Sequence, residues 1–431
     1  MDKKNKKQIK TKMLPNSQSV GFKFFKTIDY EFYIFSTLLL LSLPVFEKIT
    51  PTWQADVYYY VHVFDYSIGF APRLFIGSVM SLFTQYKSAA FLTAFMHSSH
   101  LLSYIFYAFI AGRFIRKASE EMREVAIYLV ALFIALPFTF GAISFRSISL
   151  DFFTLFFTFL MLVFLNKPVF KWLVPVLIFM SLATYHQYAF LYMPIIAILL
   201  LYEIQNNKNS KNSIFFSIVS FSTMVAFTAY FYLFDGIKRF GHQNDLLAFA
   251  ENKSDLIFGE TAKNIFQGYF LTSPFEVFRF YSYAGSTWAE TLNLDDIIVD
   301  LPFLVYLIPM FIFFFFVWKN AFKNSDSKFE KFIFLLCILA PLSRLPSFVL
   351  MAQDYLRIWV AVMTVQFFLL FYFLHNRNAA VTESMSKAWS FVRAHYFLSL
   401  MLIVFYAMSY LTFGTSSLFA QFTAGISDSL S

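Results

Sequence analysis

The 431-residue sequence is poor in charge, with only 14% Asp, Glu, Lys and Arg, where a soluble domain carries about 25%. With 58% hydrophobic and 22% aromatic residues, that shortage argues against a water-soluble fold. Runs such as LPFLVYLIPMFIFFFFVW leave no room for an amphipathic period. Cysteine is nearly absent. The lone Cys337 lies inside an apolar run, which excludes an intramolecular disulfide and a Cys-based metal cage. P-loop, Gly-rich dinucleotide fingerprint, G-x-S-x-G and H-E-x-x-H are all missing, so nucleotide-driven transport and zincin proteolysis lose support. No small-residue cleavage site follows the opening MDKKNKKQIKTK, and the first apolar stretch is expected to be a retained helix. No inverted internal repeat of the kind that marks secondary transporters is visible.

What is present is a succession of apolar segments, each near the roughly 20 residues that a helix needs to cross hydrocarbon. They fall at 30–46, 89–112, 126–143, 152–165, 172–184, 188–202, 213–233, 301–318, 332–351, 357–375 and 394–413. The expected fold is therefore all-α: a polytopic transmembrane helical bundle of about eleven spans. The segment 172–202 reads either as one long helix or as two short ones meeting at Tyr185-His186-Gln187, and charge favours two. With the pair, the tracts 1–29, 113–124, 166–171, 203–212, 319–331 and 376–393 share one face and hold 23 of the 34 Lys and Arg. The excess of cations on that face marks it as cytoplasmic. It also makes nucleic acid an unneeded partner for the net charge of +8.

The chain divides into a basic cytoplasmic tail (1–29), a seven-span membrane module (30–233), a long extracytoplasmic loop (234–300) and a C-terminal set of spans (301–431). Within the module the first outer loop covers 47–88. Loops of this length tend to carry function, so activity is expected on the outer face. Their LFIGSVM and FEVFRFY stretches suit helices lying in the membrane interface.

Four groups of residues stand out. The first loop, TWQADVYYYVHVFDYSIGFAPRLFIGS, brings Asp56, His62, Asp65 and Arg73 next to a span end, where ionisable groups are costly unless partnered or used. The blander reading is that they solvate the loop and pair with one another. In FRSISLDFFTLFF, Arg146 and Asp151 stand at the mouth of the fourth span, and Asp151 also reads as an N-cap. In TYHQYAF, His186 and Gln187 occupy the tip between two apolar arms, where a polar turn lines a cavity or is satisfied structurally. In APLSRLPSFVLMAQDYLRIW, Arg344 lies deep between two prolines, with Asp354 and Arg357 beyond. A guanidinium there needs an anion, either an internal carboxylate or a lipid phosphate.

In architecture the sequence resembles the GT-C superfamily, polytopic glycosyltransferases that use polyprenyl-phosphate sugars. ADVYYYVHVFDYSIGFAPRLFIG looks like that family's first-loop stretch of acid, Tyr, Gly and Pro-Arg-Leu, and SISLDFFTLFF is similar to its acidic residue at the fourth span. The resemblance implies Asp56 as catalytic carboxylate, acting as base on the acceptor hydroxyl or helping to hold a divalent metal ion. It implies Asp151 as the second acid, orienting the acceptor or completing the metal site. Val57 stands where many members have a second acid, which counts against the metal role. Asp65, Arg73, Arg146, His186, Arg344 and Arg357 are the candidate substrate-binding residues. The implied partners are a polyprenyl-phosphate-linked sugar, a glycan, lipid or protein acceptor, and the bilayer of a bacterial plasma membrane. Two other classes remain open: a polymerase or ligase of lipid-linked surface polysaccharide, resting on Arg239, His242 and Arg279, and a transporter or flippase with Arg344 and His186 along its pathway.

Overall fold

A computed structural model describes residues 29–48, 61–137, 139, 150–207, 210–233, 243–258, 270–271, 294–344 and 355–414. Among these residues the chain is helical throughout, with no strand. The helices are α1 (Tyr30–Lys48), α2 (Phe75–Ser81), α3 (Ala89–Lys117), α4 (Glu120–Ala135), α5 (Leu150–Leu165), α6 (Val174–Thr184), α7 (Tyr188–Leu191) and α8 (Met193–Asn206). They are followed by α9 (Lys211–Tyr232), α10 (Gln243–Lys253), α11 (Leu294–Asn324), α12 (Lys328–Leu339), α13 (Tyr355–His375), α14 (Ala379–Ala394) and α15 (Tyr396–Gly414).

Their ends follow local chemistry. Ser88, Ser210 and Asn378 accept backbone N–H bonds from Phe91, Ser213 and Val381 as N-caps, and Ser327 caps α12 with Glu330 three residues on, satisfying donors that a helix start leaves over. Prolines open α6 and α8, where a missing N–H is harmless.

Three described helical stretches are long and apolar enough to cross a membrane: Lys211–Tyr232, Val305–Asn324 and Ile358–His375. A fourth is possible if α14 and α15, bent by 95° at their junction, form one span. The apolar parts of α1, α5, α6 and α8 are shorter. The expected 126–143 segment begins earlier, as α4 from Glu120, and its helix ends at Ala135. The tract 376–393 is mostly helix: α14 buries Ala380, Val381, Ser384, Met385, Ala388 and Trp389 on one side and exposes Glu383, Ser386, Lys387 and Arg393 on the other.

The core centres on α13, whose apolar window is 78% buried, against 28% for α9 and 33% for α11. Phe367, Phe368 and Phe371 meet Phe133 of α4, while Phe314 of α11, Phe159 of α5 and Phe114 of α3 close around them. Buried Gln366 ties three helices, accepting from Trp318 Nε1 at 2.6 Å and donating to the Cys337 carbonyl at 3.0 Å. Such a polar link inside an apolar bundle fixes register between helices.

The segment after Lys171 resolves into two arms. Lys171, before α6, pairs with Glu203, near the end of α8, 32 residues later. One straight helix would hold them about 48 Å apart at 1.5 Å per residue, so the chain must turn back at 185–192.

The feet of those arms belong to a polar layer that joins the basic tracts. Gln205 donates to Ser327, Asn378 to Glu330 and to Tyr202, and Arg393 pairs with Glu124, as Arg116 does with Glu31. At the other end of the bundle lie the first loop, the hairpin tip and the 243–258 segment. Lys87 N–H donates to Lys253 O at 2.7 Å, Ala89 N–H donates to Asp255 Oδ1 at 2.6 Å, and Phe64 stacks on Phe249. The described parts of the two long loops thus pack on each other.

Candidate functional site

The tip of the hairpin is clamped from both sides. The Arg73 N–H donates to Ala183 O at 2.8 Å, and Arg344 donates to Leu191 O. Arg73 does so with φ of +73°, a left-handed conformation uncommon for a residue with a long side chain and one that persists only where the surroundings enforce it. Its side chain is buried, with the guanidinium carbon 5.7 Å from the Tyr185 ring centre. His186 follows, 5% exposed, with its ring edge-on to Tyr232 at 5.2 Å and to Tyr185 at 5.7 Å. Tyr185 donates its hydroxyl to Gln187. The buried His186 Nδ1 and Thr184 Oγ1 have no hydrogen-bond partner among the described residues. A guanidinium, an imidazole and phenols thus meet at one polar turn.

An aromatic wall adjoins this turn. Phe70 lies against Tyr66, Tyr230, Phe231 and Phe179, at centroid separations of 5.1 to 6.2 Å, and Tyr230 donates its hydroxyl to Phe70 O at 3.2 Å. Phe70 and Tyr230 remain 41% and 44% exposed, so the wall presents open aromatic surface beside Arg73.

Asp65 has other duties. It caps the 3-10 turn Tyr66–Ile68 through Ser67 N–H, accepts from Ser81 Oγ at 2.6 Å and pairs with Lys87 Nζ at 3.0 Å. Lys87, wholly buried, also donates to Val63 O at 2.8 Å. Burial alone would push the Asp65 carboxyl up, but the hydrogen bonds from Ser67, Ser81 and Lys87 outweigh it and hold the group well below the ordinary carboxylate range. Gly77 of α2 allows this loop to close. A Cβ there would come within 1.8 Å of Phe64 O and 2.8 Å of His62 O.

Asp151 is buried inside the first turn of α5, which begins at Leu150, so it sits one residue inside the helix rather than before it. The helix dipole still favours a carboxylate there. The two residues after it touch histidines: Phe152 stacks on His100 of α3 at 3.9 Å, and Phe153 meets His62 of the first loop at 6.1 Å.

Among the described residues the partners of Arg344 are carbonyls and a hydroxyl, while Asp354, the carboxylate nearest in sequence, lies outside them. Wholly buried, Arg344 donates to Ala340 O, Leu191 O and Ser343 Oγ, and carbonyl oxygens carry enough partial negative charge at helix ends to hold a cation. Asp56, Arg146, Arg239, His242, Arg279 and Asp354 lie outside the described residues. Arg357 stands in the first turn of α13, and its side chain is outside them too. The structure therefore brings Arg73 and His186 together, assigns Asp65 and Arg344 to holding the loop and the tip, and places Asp151 on the neighbouring helix. Among the described residues no cluster of three or more His, Cys, Asp and Glu could hold a metal ion.

Sequence reasoning passed over Lys87, Tyr232 and His100. A lone Lys between long apolar stretches was the available signal for Lys87, and the His97-Ser-Ser-His100 spacing, which puts two imidazoles on one helix face, was the signal for His100. No protein-family model, curated protein or solved structure matches the chain.

Proposed function

We propose that the chain is a multi-pass membrane glycosyltransferase that moves a sugar from a polyprenyl-phosphate carrier to an acceptor outside the cytoplasm. About eleven spans cross a bacterial plasma membrane, with the basic layer inside and the Arg73–His186 turn on the active face. The observation that supports this most is Arg73, held in a left-handed conformation beside His186 and Tyr232 at the end remote from the basic tracts. A left-handed backbone at a residue with a long side chain costs energy, and such strain clusters at ligand sites.

In this reading Arg73, buried beside Tyr185 and His186 at the hairpin tip, takes the departing phosphate. Its fork geometry matches two phosphate oxygens. The exposed faces of Phe70 and Tyr230 stack on the sugar. Asp56 withdraws the acceptor proton and Asp151 orients the acceptor; a metal ion between them belongs to the same proposal. The leaving group is built into the lipid-linked donor, so no nucleotide is needed. Arg239, His242 and Arg279, on which the polymerase reading rests, lie outside the described residues, and Arg344 of the transporter reading is bonded to backbone carbonyls.

The test is reconstitution in liposomes with a panel of polyprenyl-phosphate hexoses, reading release of polyprenyl phosphate. Asp56→Asn should abolish release in a folded protein. Arg73→Gln should lower it by about 10²–10³-fold, the effect of losing one oxyanion donor. Full release from Asp56→Asn, or lipid crossing the bilayer with no new glycosidic bond, would overturn the assignment.

A further inference from the structure

We infer that the basic end of the bundle carries a binding site for the phosphate headgroup of an anionic phospholipid, built from Arg113, Lys117, Lys167 and Arg377. The inference rests on the membrane placement of the bundle and not on the transferase reading.

Three elements supply these cations. Arg113 and Lys117 are one turn apart at the end of α3, Lys167 follows α5, and Arg377 follows α13. Phe114 of α3 and Phe371 of α13 meet at 5.3 Å, which fixes the two helix ends side by side. All four side chains are exposed. They are close enough to feel one another: the charges of Arg113, Lys167 and Arg377 hold the Lys117 ammonium below its ordinary range.

Arg377 gives the strongest sign that the cluster is kept for a purpose. It closes α13 with φ of +52°. The Asn378 N–H reaches back to Phe373 O and the Arg377 N–H to Leu374 O, both at 3.0 Å. That is the left-handed helix stop for which glycine is the usual residue, because a Cβ is disfavoured there. An arginine in that place trades local stability for a cation. Part of its return comes from the carbonyl ends of α3 and α13, which favour positive charge, but glycine would close the helix better.

The neighbouring surface selects a lipid over a soluble phosphate. The turn that carries Lys167 continues into Val169, Phe170, Trp172 and Leu173, which are 83%, 48%, 46% and 42% exposed. Apolar side chains and an exposed indole beside a cluster of cations match the level at which a bilayer passes from acyl chains to headgroups.

The experiment measures binding of short-chain phosphatidylglycerol, phosphatidylcholine and inorganic phosphate to the full chain purified in detergent. Phosphatidylglycerol should bind best. Arg377→Gly should weaken it about fivefold, the worth of one basic residue at an anionic surface, with the unfolding temperature unchanged or raised. Lys117→Gln with Lys167→Gln and Arg377→Gly should weaken it about a hundredfold. Lys387→Gln, which removes an exposed cation already paired with Glu383, should change it less than twofold. Equal binding by Arg377→Gly and the parent would overturn the proposal. So would an equal loss in Lys387→Gln, which would reduce the effect to net charge, or inorganic phosphate binding as tightly as the lipid.

Discussion

At the basic end of the bundle Arg393 meets Glu124 with side chains 58% and 40% exposed, whereas at the opposite end Lys87 meets Asp65 with side chains 0% and 5% exposed. The first pair joins two helices through solvent-facing groups whose attraction is screened. The second holds a turn closed from inside, and each partner would be an uncompensated buried charge without the other. Arg344, stapled to carbonyls, and Arg73, locked over the hairpin tip, belong with the second kind. Charge at the basic end can be lost piecemeal. Charge at the Arg73 end is part of the architecture that positions the candidate site.

Substitutions can break this contrast in order of size. Lys87→Met strands Asp65 and should destabilise the protein by about 3–5 kcal/mol, seen as lower unfolding temperature in detergent. A loss under about 1 kcal/mol would mean that Asp65 reaches other partners. The pair also predicts a pH effect. The Asp65 carboxyl lies lower in the folded chain than in the unfolded one, so its contribution is complete above about pH 4 and is lost as pH falls below that value. Unfolding temperatures of Asp65→Asn should vary less with pH in that acid range than those of the parent. Next comes Gly77→Ala, where backbone rather than a movable side chain blocks the new Cβ. A cost of about 1–3 kcal/mol is expected. Gly112→Ala should cost less, because the atoms nearest its Cβ belong to the movable Glu31 side chain. Smallest is Glu124→Gln, below about 1 kcal/mol. A larger loss there would erase the distinction between the two ends.

Much of this layout is legible in the sequence because it rests on composition and period. The apolar stretches that become α9, α11, α13 and α15 stand out by length, and the break at Tyr185-His186-Gln187 stands out as polar residues between apolar arms. The five basic tracts whose cations are described fall together. The span count is less legible, since α6 and α8, with 11 and 14 residues, read as spans by hydropathy but are shorter than the roughly 20 residues that a crossing needs. Helix α14 is hidden because its buried stripe sets Val381, Met385 and Trp389 among the small residues Ala380, Ser384 and Ala388, which together make no apolar run.

The site is legible as residue types but not as pairings. Arg73 and His186, far apart in sequence, could each be chosen on chemistry, but nothing local shows that the Arg73 N–H seeks Ala183 O. Lys87 lies 22 residues from Asp65, beyond any helical or turn spacing. The carbonyls that Arg344 reaches become available only at helix ends and cannot be read from side chains.

The measurement that bears most directly on the two-ended account is cysteine accessibility in intact cells. The native Cys337 is buried and leaves a quiet background. Single cysteines at Gln85→Cys and Ser386→Cys, both exposed positions at opposite ends, would be treated with a membrane-impermeant maleimide. The account predicts labelling at position 85 in intact cells and at position 386 only after lysis. Labelling of both from the same side would contradict it.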